Sequence, residues 1–201
     1  MPMRPLLFVC LTTLLAASQP VVAQTLDEAV RSLDRKEYEK ARFILEKLAQ
    51  AGNTEAEFRL AEMYVRPIGI PQNAQRGMAL YESAAQKGHP EALFALATEL
   101  EKGALISPDK KRAMGLMSTS AKLKFLAAQH AMCMELSTDG SKFYDAEEAY
   151  AWCQVSAGKK HKQADESAKR GKDTLAKIQA KGGAEAVNAA KARAARYAKS
   201  Y

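Results

Sequence analysis

A unit of 36 residues recurs along the middle of the chain, and this repetition constrains the fold more than any other feature. Residues 52–87, 88–123 and 124–159 align without a gap, and a half unit in the same register lies within residues 24–51. Small and apolar residues recur at matching positions, as in Ala56, Ala92 and Ala128, in Leu60, Leu96 and Met132, and in Ala61, Ala97 and Cys133. A constant offset at this many positions predicts an array of stacked structural repeats.

Each unit is predicted to contain two antiparallel helices. In the first unit, Ala56, Leu60 and Tyr64 follow the 3.6-residue period of one buried helix face over residues 55–65. The connector at residues 66–71 contains prolines and a glycine, which end helices. The small residues Ala61 and Gly77 are expected to let the two helices approach closely.

The second helix of each unit has its own start signal. Asn73, Asp109 and Asp145 share one repeat position, where a short polar side chain can cap the helix that follows. We therefore expect a helix to begin directly after each of these residues.

The first unit reads GNTEAEFRLAEMY at 52–64, GIPQN at 69–73 and LYESAAQKG at 80–88, and it resembles a Sel-1-like repeat, a relative of the tetratricopeptide repeats. The second unit keeps Gly103, Ile106 and Asp109, whereas the third shifts Gly140 by one place and carries Lys142 at an apolar position. The resemblance covers residues 37–160. It implies an all-α, right-handed α-solenoid of helix-turn-helix repeats that binds other proteins, often in bacterial envelopes, without catalytic residues or a cofactor.

The N-terminal segment has the pattern of a secretory signal peptide. One positive charge, Arg4, precedes an apolar run of twelve residues at 6–17, which is too short to span a bilayer. The stretch Ser18-Gln19-Pro20 is expected to end the helix, and small side chains predict cleavage after Ala23. The alternative is a buried N-terminal helix. Export predicts a periplasmic or secreted bacterial protein with no transmembrane segment in the mature chain.

The net charge of +7 comes from the C-terminal quarter of the chain. Residues 158–201 hold twelve basic and four acidic groups, whereas residues 24–157 hold seventeen basic and nineteen acidic groups. The basic tail includes Lys159, Lys160, Lys162, Lys169 and Arg170. Two interpretations remain open. Residues 160–201 are either a polar helical cap, broken at Gly182-Gly183, or a segment that attaches to an anionic envelope surface. Nucleic acid is not an expected partner, because the tail lacks interleaved aromatic residues.

Two further residue classes bear on chemistry. Cys133 and Cys153 form either a disulfide or two packed thiols, and the repeat register favours thiols because it places Cys153 about one turn from its expected partner position. The three histidines are spread along the array without metal-ligand spacing, so no metal site is expected. No motif typical of a hydrolase, a metalloprotease or a phosphate-binding loop is present in the sequence.

The first helix of each unit would line the concave surface of such a solenoid. Helical phase selects six residues that project from it: Glu55, Glu62, Glu91, Thr98, Glu101 and Met134. Four of the six are acidic, which suits a basic partner segment.

The leading hypothesis is therefore a noncatalytic exported adaptor that holds a protein partner in its groove. The alternatives are an inhibitor or immunity protein against an envelope-directed toxin or hydrolase, and a regulator of a membrane sensor. An enzyme acting on envelope polymers would need an acid–base pair in a cleft, which the sequence does not present. The predicted organisation is a signal peptide (1–23), a helical half-repeat (24–51), three repeats (52–159) and a basic helical cap (160–201).

Overall fold

A computed structural model describes residues 18–66 and 68–201 of the chain, with side chains from Thr25 onward. Most of the predicted signal peptide lies outside the described residues. Within them the chain forms nine α-helices, which are α1 (Ser18–Asp34), α2 (Tyr38–Gln50), α3 (Thr54–Val65), α4 (Ala74–Gln86), α5 (Pro90–Lys102), α6 (Lys110–Lys122), α7 (Leu126–Ser137), α8 (Ala146–Ala157) and α9 (Ala164–Ser200).

The first described residues differ from the expectation for this segment. Ser18-Gln19-Pro20 was expected to end a helix, but these residues are helical and belong to α1, which continues through Ala23 to Asp34.

The helices begin where the repeat pattern predicts them. The expected first helix at 55–65 is α3, and its Ala56, Leu60 and Tyr64 are buried. The side-chain oxygens of the three predicted caps accept hydrogen bonds from the backbone N–H groups three residues later. The Arg76 N–H donates to Asn73 at 3.0 Å, the Arg112 N–H donates to Asp109 at 2.9 Å, and the Glu148 N–H donates to Asp145 at 2.9 Å. The predicted capping is confirmed.

Close helix crossing at small residues is also found. A Cβ atom added at Gly77 would lie 2.6 Å from Val65 Cγ2 and 3.1 Å from the Ala61 carbonyl oxygen. These distances are shorter than ordinary van der Waals contact. The absence of a side chain at Gly77 is therefore what permits this approach between α3 and α4.

The chain divides into two compact units. In the first, which contains the described residues up to Leu80, α1 packs on α2 and α2 packs on α3. Its core contains Ile44, Leu45, Leu48, Leu60 and Met63. These residues recur at helical spacing on α2 and α3, so each helix contributes one apolar face.

In the second unit, Tyr81–Tyr201, each of α5 to α8 packs on the helix that follows it. The final helix α9 is interrupted at Gly183, where φ is 65° and ψ is −156°. Residues from both arms of α9, including Ile178 and Ala190, pack in one apolar cluster with Tyr150 and Ala151 of α8. The all-α class, helix-turn-helix repeats with a C-terminal helical cap, is confirmed.

Candidate functional site

The second unit contains a surface groove of about 270 Å³. It lies among α5, α6, α7 and the loop that follows α7. We call it the Met134 groove and define it by its lining residues, which are Glu101, Lys110, Ala113, Met114, Met117, Ala131, Met134, Glu135, Thr138 and Phe143. Three methionines and a phenylalanine give the groove an apolar floor, and charged side chains lie at its edge. This combination is typical of sites that bind an apolar group together with a polar one.

The wall formed by the loop after α7 is held by hydrogen bonds. The Ser141 hydroxyl donates to Glu135 Oε1 at 2.7 Å, and the Phe143 backbone N–H donates to the Ser141 hydroxyl at 3.1 Å. The Thr138 hydroxyl donates to the Met134 carbonyl oxygen at 2.7 Å. Glu135 and Ser141 thus fix the backbone that carries Phe143 to the groove.

The C-terminal helix α9 supports the same loop from outside. The Lys177 ammonium group donates to Asp139, and this bond holds the pKa of Asp139 below its usual value. The Lys181 ammonium group lies 5.7 Å from the centre of the Tyr144 ring. The basic tail therefore contributes contacts to the loop that builds the groove wall.

An open depression of about 670 Å³ adjoins the groove and shares Lys110 with it. Its other basic residues are Lys111, Arg112 and Lys142. Arg112 donates to Glu82 at 2.9 Å, whereas in the described part of the chain no carboxylate lies within 4.0 Å of the three lysines. The depression therefore carries an excess of positive charge, with Asp109 as the one carboxylate of its lining. The Lys142 ammonium group lies 5.2 Å from the centre of the Phe143 ring.

The six predicted contact residues are distributed over separate places. Glu101 and Met134 line the Met134 groove, and Glu62 lines a smaller cavity of about 180 Å³ in the first unit. Glu55, Glu91 and Thr98 line neither.

Two of the predicted acidic residues lie within 4.0 Å of an arginine side chain, Glu55 with Arg59 and Glu62 with Arg66. Glu91 lies 3.4 Å from His89 Nδ1, which accepts a hydrogen bond from the Ala92 backbone N–H. The charges of Glu55 and Glu62 are therefore compensated locally, and less is left to attract a basic partner.

Cys133 of α7 and Cys153 of α8 are joined by a disulfide, and both are fully buried. Their Cα atoms lie 4.7 Å apart. The expectation that the two Cα atoms lie too far apart for a bridge is wrong. The alternative of two separate thiols is not what the structure contains.

The histidines form internal hydrogen bonds. The His130 Nδ1 lies 2.9 Å from the Ser167 hydroxyl, which lies 2.9 Å from the Ser156 hydroxyl. Ser156 in turn lies 3.2 Å from His161 Nε2. Both serine side chains are fully buried, so this cluster connects α7, α8 and α9 inside the unit.

The predicted cap residues also have defined surroundings. Lys159, Lys160, Lys162 and Lys169 are exposed, and Arg170 is partly buried. The end of α9 is docked on α8, where Tyr197 and Tyr201 contact Trp152 with ring centroids 5.0 Å and 5.2 Å away. The Tyr197 hydroxyl donates to Glu148 at 3.2 Å.

One polar cluster was not predicted from the sequence. In the first unit, Glu46 Oε1 accepts hydrogen bonds from Tyr64 at 2.8 Å and Arg42 at 3.1 Å, and it lies 3.0 Å from Arg76 Nη2. These four residues come from α2, α3 and α4. Nothing in the local sequence pattern signals the cluster, because each residue is an ordinary polar residue on its own helix.

The described residues lack two further features. No group of three or more histidine, cysteine or acidic side chains is placed to hold a metal ion there. In the same residues, no helix combines the length and the apolar character needed to cross a bilayer.

The geometry defines an all-helical repeat protein with a surface groove between successive helices and a helical C-terminal cap. The chain belongs to the Sel1 repeat family. The model of that family, Sel1 repeat, matches residues 33–53, 54–89, 90–125 and 126–161, which is more than half of the chain. The resemblance to the Sel-1-like repeats is thereby confirmed. The three complete matches have the 36-residue period and begin two residues after the predicted boundaries.

Solved structures share this fold. The chain is similar to a Sel1 repeat protein from Oxalobacter formigenes, with a TM-score of 0.57 and 22% identity over 64% of this chain and 95% of that one. It is also similar to c5321, a protective antigen present in uropathogenic Escherichia coli strains displaying an SLR fold. That match has a TM-score of 0.55 and 18% identity over 90% of this chain and 46% of that one, so the chain spans about half the length of that protein.

A third structure is the immunity protein Pa5087 from Pseudomonas aeruginosa, with a TM-score of 0.38 and 15% identity over 90% of this chain and 81% of that one. That TM-score is too low to show a shared arrangement of helices. At these identities the first two matches show the fold alone. No curated protein sequence matches this chain.

Proposed function

We propose that this protein is an exported, noncatalytic interaction scaffold that holds a segment of a partner protein in the Met134 groove. The observation that carries the proposal is the groove itself, an apolar floor with a charged edge on the surface of a repeat array. Stacked helical repeats create extended surfaces that such proteins use for binding. An apolar centre with a polar rim is the usual composition of a protein interface.

The disulfide supports export. Disulfides persist in oxidising compartments such as the bacterial periplasm and are rare in the cytosol. The buried Cys133–Cys153 bridge therefore agrees with the signal peptide expected at residues 1–23. The proposed location is the periplasm or the medium.

A photo-crosslinking experiment tests the scaffold proposal. Met134 is replaced by the photoreactive amino acid p-benzoylphenylalanine in the full chain, and the protein is irradiated in intact cells. The matched control carries the same amino acid at Phe43, a large apolar side chain that is 55% exposed on α2 of the first unit. We expect one defined adduct from position 134 that is absent from position 43. Identical adducts from both positions, or no adduct from position 134, would overturn the proposal.

The identity of the crosslinked protein separates the versions of this function. A toxin or hydrolase would identify the chain as an inhibitor or immunity protein. The exported domain of a membrane sensor would identify it as a regulator. Any other envelope protein would support the adaptor role.

The other predicted contact residues remain proposals of their own. Glu62 and Glu91 are partly buried, and they lie 3.4 Å from Arg66 Nη1 and from His89 Nδ1, respectively. Charge reversal at both positions is expected to leave thermal stability nearly unchanged, since each pair is partly solvated. Unchanged partner crosslinking in this double variant would remove the two residues from the binding surface.

A second candidate function, attachment of the basic cap to an anionic surface, is favoured by one observation. Lys159, Lys160, Lys162 and Lys169 are exposed, and within the described chain no carboxylate lies within 4.0 Å of them. Each lysine near an anionic lipid surface contributes about 1 kcal/mol, an effect that salt screens. Vesicles of phosphatidylglycerol and phosphatidylcholine should bind the protein at low salt, and the four Lys→Gln substitutions should abolish this binding. Equal binding to pure phosphatidylcholine would contradict the attachment.

A further inference from the structure

We infer that the Met134 groove selects an acidic segment with one large apolar anchor, whose carboxylates contact Lys110, Lys111 and Lys142. The inference rests on the proposed function, since it specifies the partner segment that the scaffold holds.

The size of the groove fits a side chain better than a small ligand. A cavity of about 150 Å³ holds a benzene molecule, and sites for drug-sized ligands span about 300 to 1,000 Å³. The Met134 groove, at about 270 Å³, lies between these values. It has room for one leucine, methionine or phenylalanine side chain and a short length of the backbone that carries it.

The floor suits an apolar anchor of variable shape. Met114, Met117 and Met134 have flexible, polarizable side chains, and Phe143 supplies a rigid wall. Met117 is 7% exposed, so this part of the floor has little contact with water. A large apolar side chain that enters the groove is therefore buried against apolar side chains, and no hydrogen bond of the protein has to break.

The unpaired charges at the edge favour an acidic segment. Lys110 lines the groove, and Lys111 and Lys142 line the depression next to it. In the part of the chain that the structure describes, none of the three lysines has a carboxylate within 4.0 Å.

The excess of positive charge lies in the depression, whereas the carboxylates of Glu101 and Glu135 lie in the groove. Glu135 accepts a hydrogen bond from Ser141, and among the described residues Glu101 has no basic side chain within 4.0 Å. Asp109 accepts a hydrogen bond from the Arg112 backbone N–H at 2.9 Å, so the depression holds four basic side chains and one carboxylate. Because unlike charges steer association and like charges oppose it, an acidic segment is preferred over a basic one.

The groove wall is preorganised by hydrogen bonds within the protein. Ser141 links Glu135 to the backbone of Phe143, and Lys177 of α9 holds Asp139 in the same loop. A preorganised site loses less conformational entropy on binding. A short linear segment is therefore sufficient as a ligand, without a large folded interface.

A phage-displayed library of random dodecapeptides, selected on the full-length protein, tests the inference. We expect enriched peptides to contain one large apolar residue with aspartate or glutamate within about three positions. The double variant Lys110→Glu, Lys142→Glu should lose this enrichment by at least about tenfold, which corresponds to ~1.4 kcal/mol. Lys122→Glu, an exposed charge reversal at the far end of α6, is the matched control and should retain it.

A second variant tests the anchor. Met134→Asp places a charge in the floor and should abolish enrichment, whereas Met134→Leu should preserve it. Near-ultraviolet circular dichroism confirms that each variant keeps the native fold. Enriched peptides that are basic, that lack an apolar anchor or that bind the variants equally well would overturn the inference, as would a selection that enriches no peptide.

The outcomes separate the two levels of the proposal. A crosslinked partner at position 134 together with no acidic preference overturns the inference and leaves the scaffold function standing. No crosslinked partner at position 134 overturns the scaffold function, whatever peptides the library yields.

Discussion

Cys133 of α7 and Cys153 of α8 are joined by a disulfide that links the two helices of the last repeat, and their Cα atoms lie 4.7 Å apart. Met134, whose side chain lines the groove, directly follows Cys133. The bridge therefore fixes the groove-lining helix to the helix on which the C-terminal cap is docked. Stability of the last repeat and geometry of the groove are coupled through this bond.

Removal of the disulfide is expected to destabilise the protein. A crosslink between residues 20 apart restricts the unfolded chain, and a loop of this size corresponds to about 3 kcal/mol. The double variant Cys133→Ala, Cys153→Ala should lower the free energy of unfolding by about this amount. Guanidinium denaturation followed by the fluorescence of Trp152, the single tryptophan of the chain, measures the change.

The reductant control separates the bond from the side chains. Dithiothreitol should destabilise the wild-type protein and leave the double variant unaffected. Wild-type denaturation curves that coincide with and without reductant would show that the bridge contributes no stability.

The cluster of Arg42, Glu46, Tyr64 and Arg76 is expected to stabilise the first unit above acidic pH. Burial raises the pKa of Glu46, but hydrogen bonds from Tyr64 and Arg42 outweigh burial and hold the pKa below its ordinary value of 4.5. A carboxyl group with a lowered pKa in the folded state contributes stability that is present above 4.5 and is lost as the pH falls through the folded pKa. Glu46→Gln should lower the free energy of unfolding at neutral pH by about 1 to 2 kcal/mol.

Glu39→Gln is the matched control for Glu46→Gln. Glu39 also pairs with Arg42, but its side chain is 67% exposed, so the substitution should change stability by less than about 0.5 kcal/mol. Thermal unfolding monitored by circular dichroism at neutral and acidic pH compares the two variants. Equal effects of both substitutions would show that the burial of Glu46 has no special role.

Much of the fold was predictable because the signals are local. Asn73, Asp109 and Asp145 cap the helices that directly follow them, and Gly183 breaks α9 where the sequence places a glycine pair. A cap or a helix break depends on the residue and its near neighbours alone. Such features can be inferred from one sequence.

The disulfide could not be inferred in the same way. The repeat register gives the angular position of Cys153 on its helix, but it does not give the crossing geometry of α7 and α8. All five residues from Ala149 to Cys153 are buried, because α9 covers a face of α8 that an ordinary repeat leaves open. Because every residue of this stretch is apolar or small and buried, its pattern does not indicate which face of α8 contacts α7.

The groove was predictable only in part. Helical phase on the first helix of each unit selected Glu101 and Met134, which line it. Met114 and Lys110 come from a second helix, and Phe143 comes from a loop. Phase on one helix cannot place residues from other elements, and methionines at helical spacing look the same whether they fill a core or line a groove.

The break of α9 at Gly183 is expected to require glycine. Its φ of 65° and ψ of −156° lie in a region that L-residues other than glycine rarely adopt, at a cost of about 1 to 3 kcal/mol. Gly183→Ala should destabilise the cap by this amount and alter the fluorescence of Trp152, on which Tyr201 stacks. Chemical denaturation and emission spectra measure the two effects.

Gly115→Ala is the control for Gly183→Ala. Gly115 lies within α6, and a Cβ atom there meets no other group within 4 Å. Because alanine is the better helix former, this substitution should stabilise the protein by about 0.5 to 1 kcal/mol. Destabilisation by both substitutions to a similar extent would contradict the conformational explanation.

The titration of His130 is expected to weaken the last repeat as the pH falls. Burial lowers the pKa of His130 from its ordinary value of 6.5. The carboxylate of Glu166, which lies 3.7 Å away, opposes this shift, whereas His161 lowers the pKa further. With a lowered pKa, the unfolded chain binds more protons, so stability is present above about pH 6.5 and is lost as the pH falls through the folded pKa.

Imidazole resonances followed by NMR titration give the measurement for His130. The wild-type midpoint should lie below 6.5, and Glu166→Gln should lower it further, because this substitution removes the one carboxylate that raises the pKa. His130→Gln should flatten the decline in stability between neutral pH and the titration midpoint. A midpoint above 6.5 would show that the attraction of Glu166 outweighs burial, and stability would then rise as the pH falls through this range.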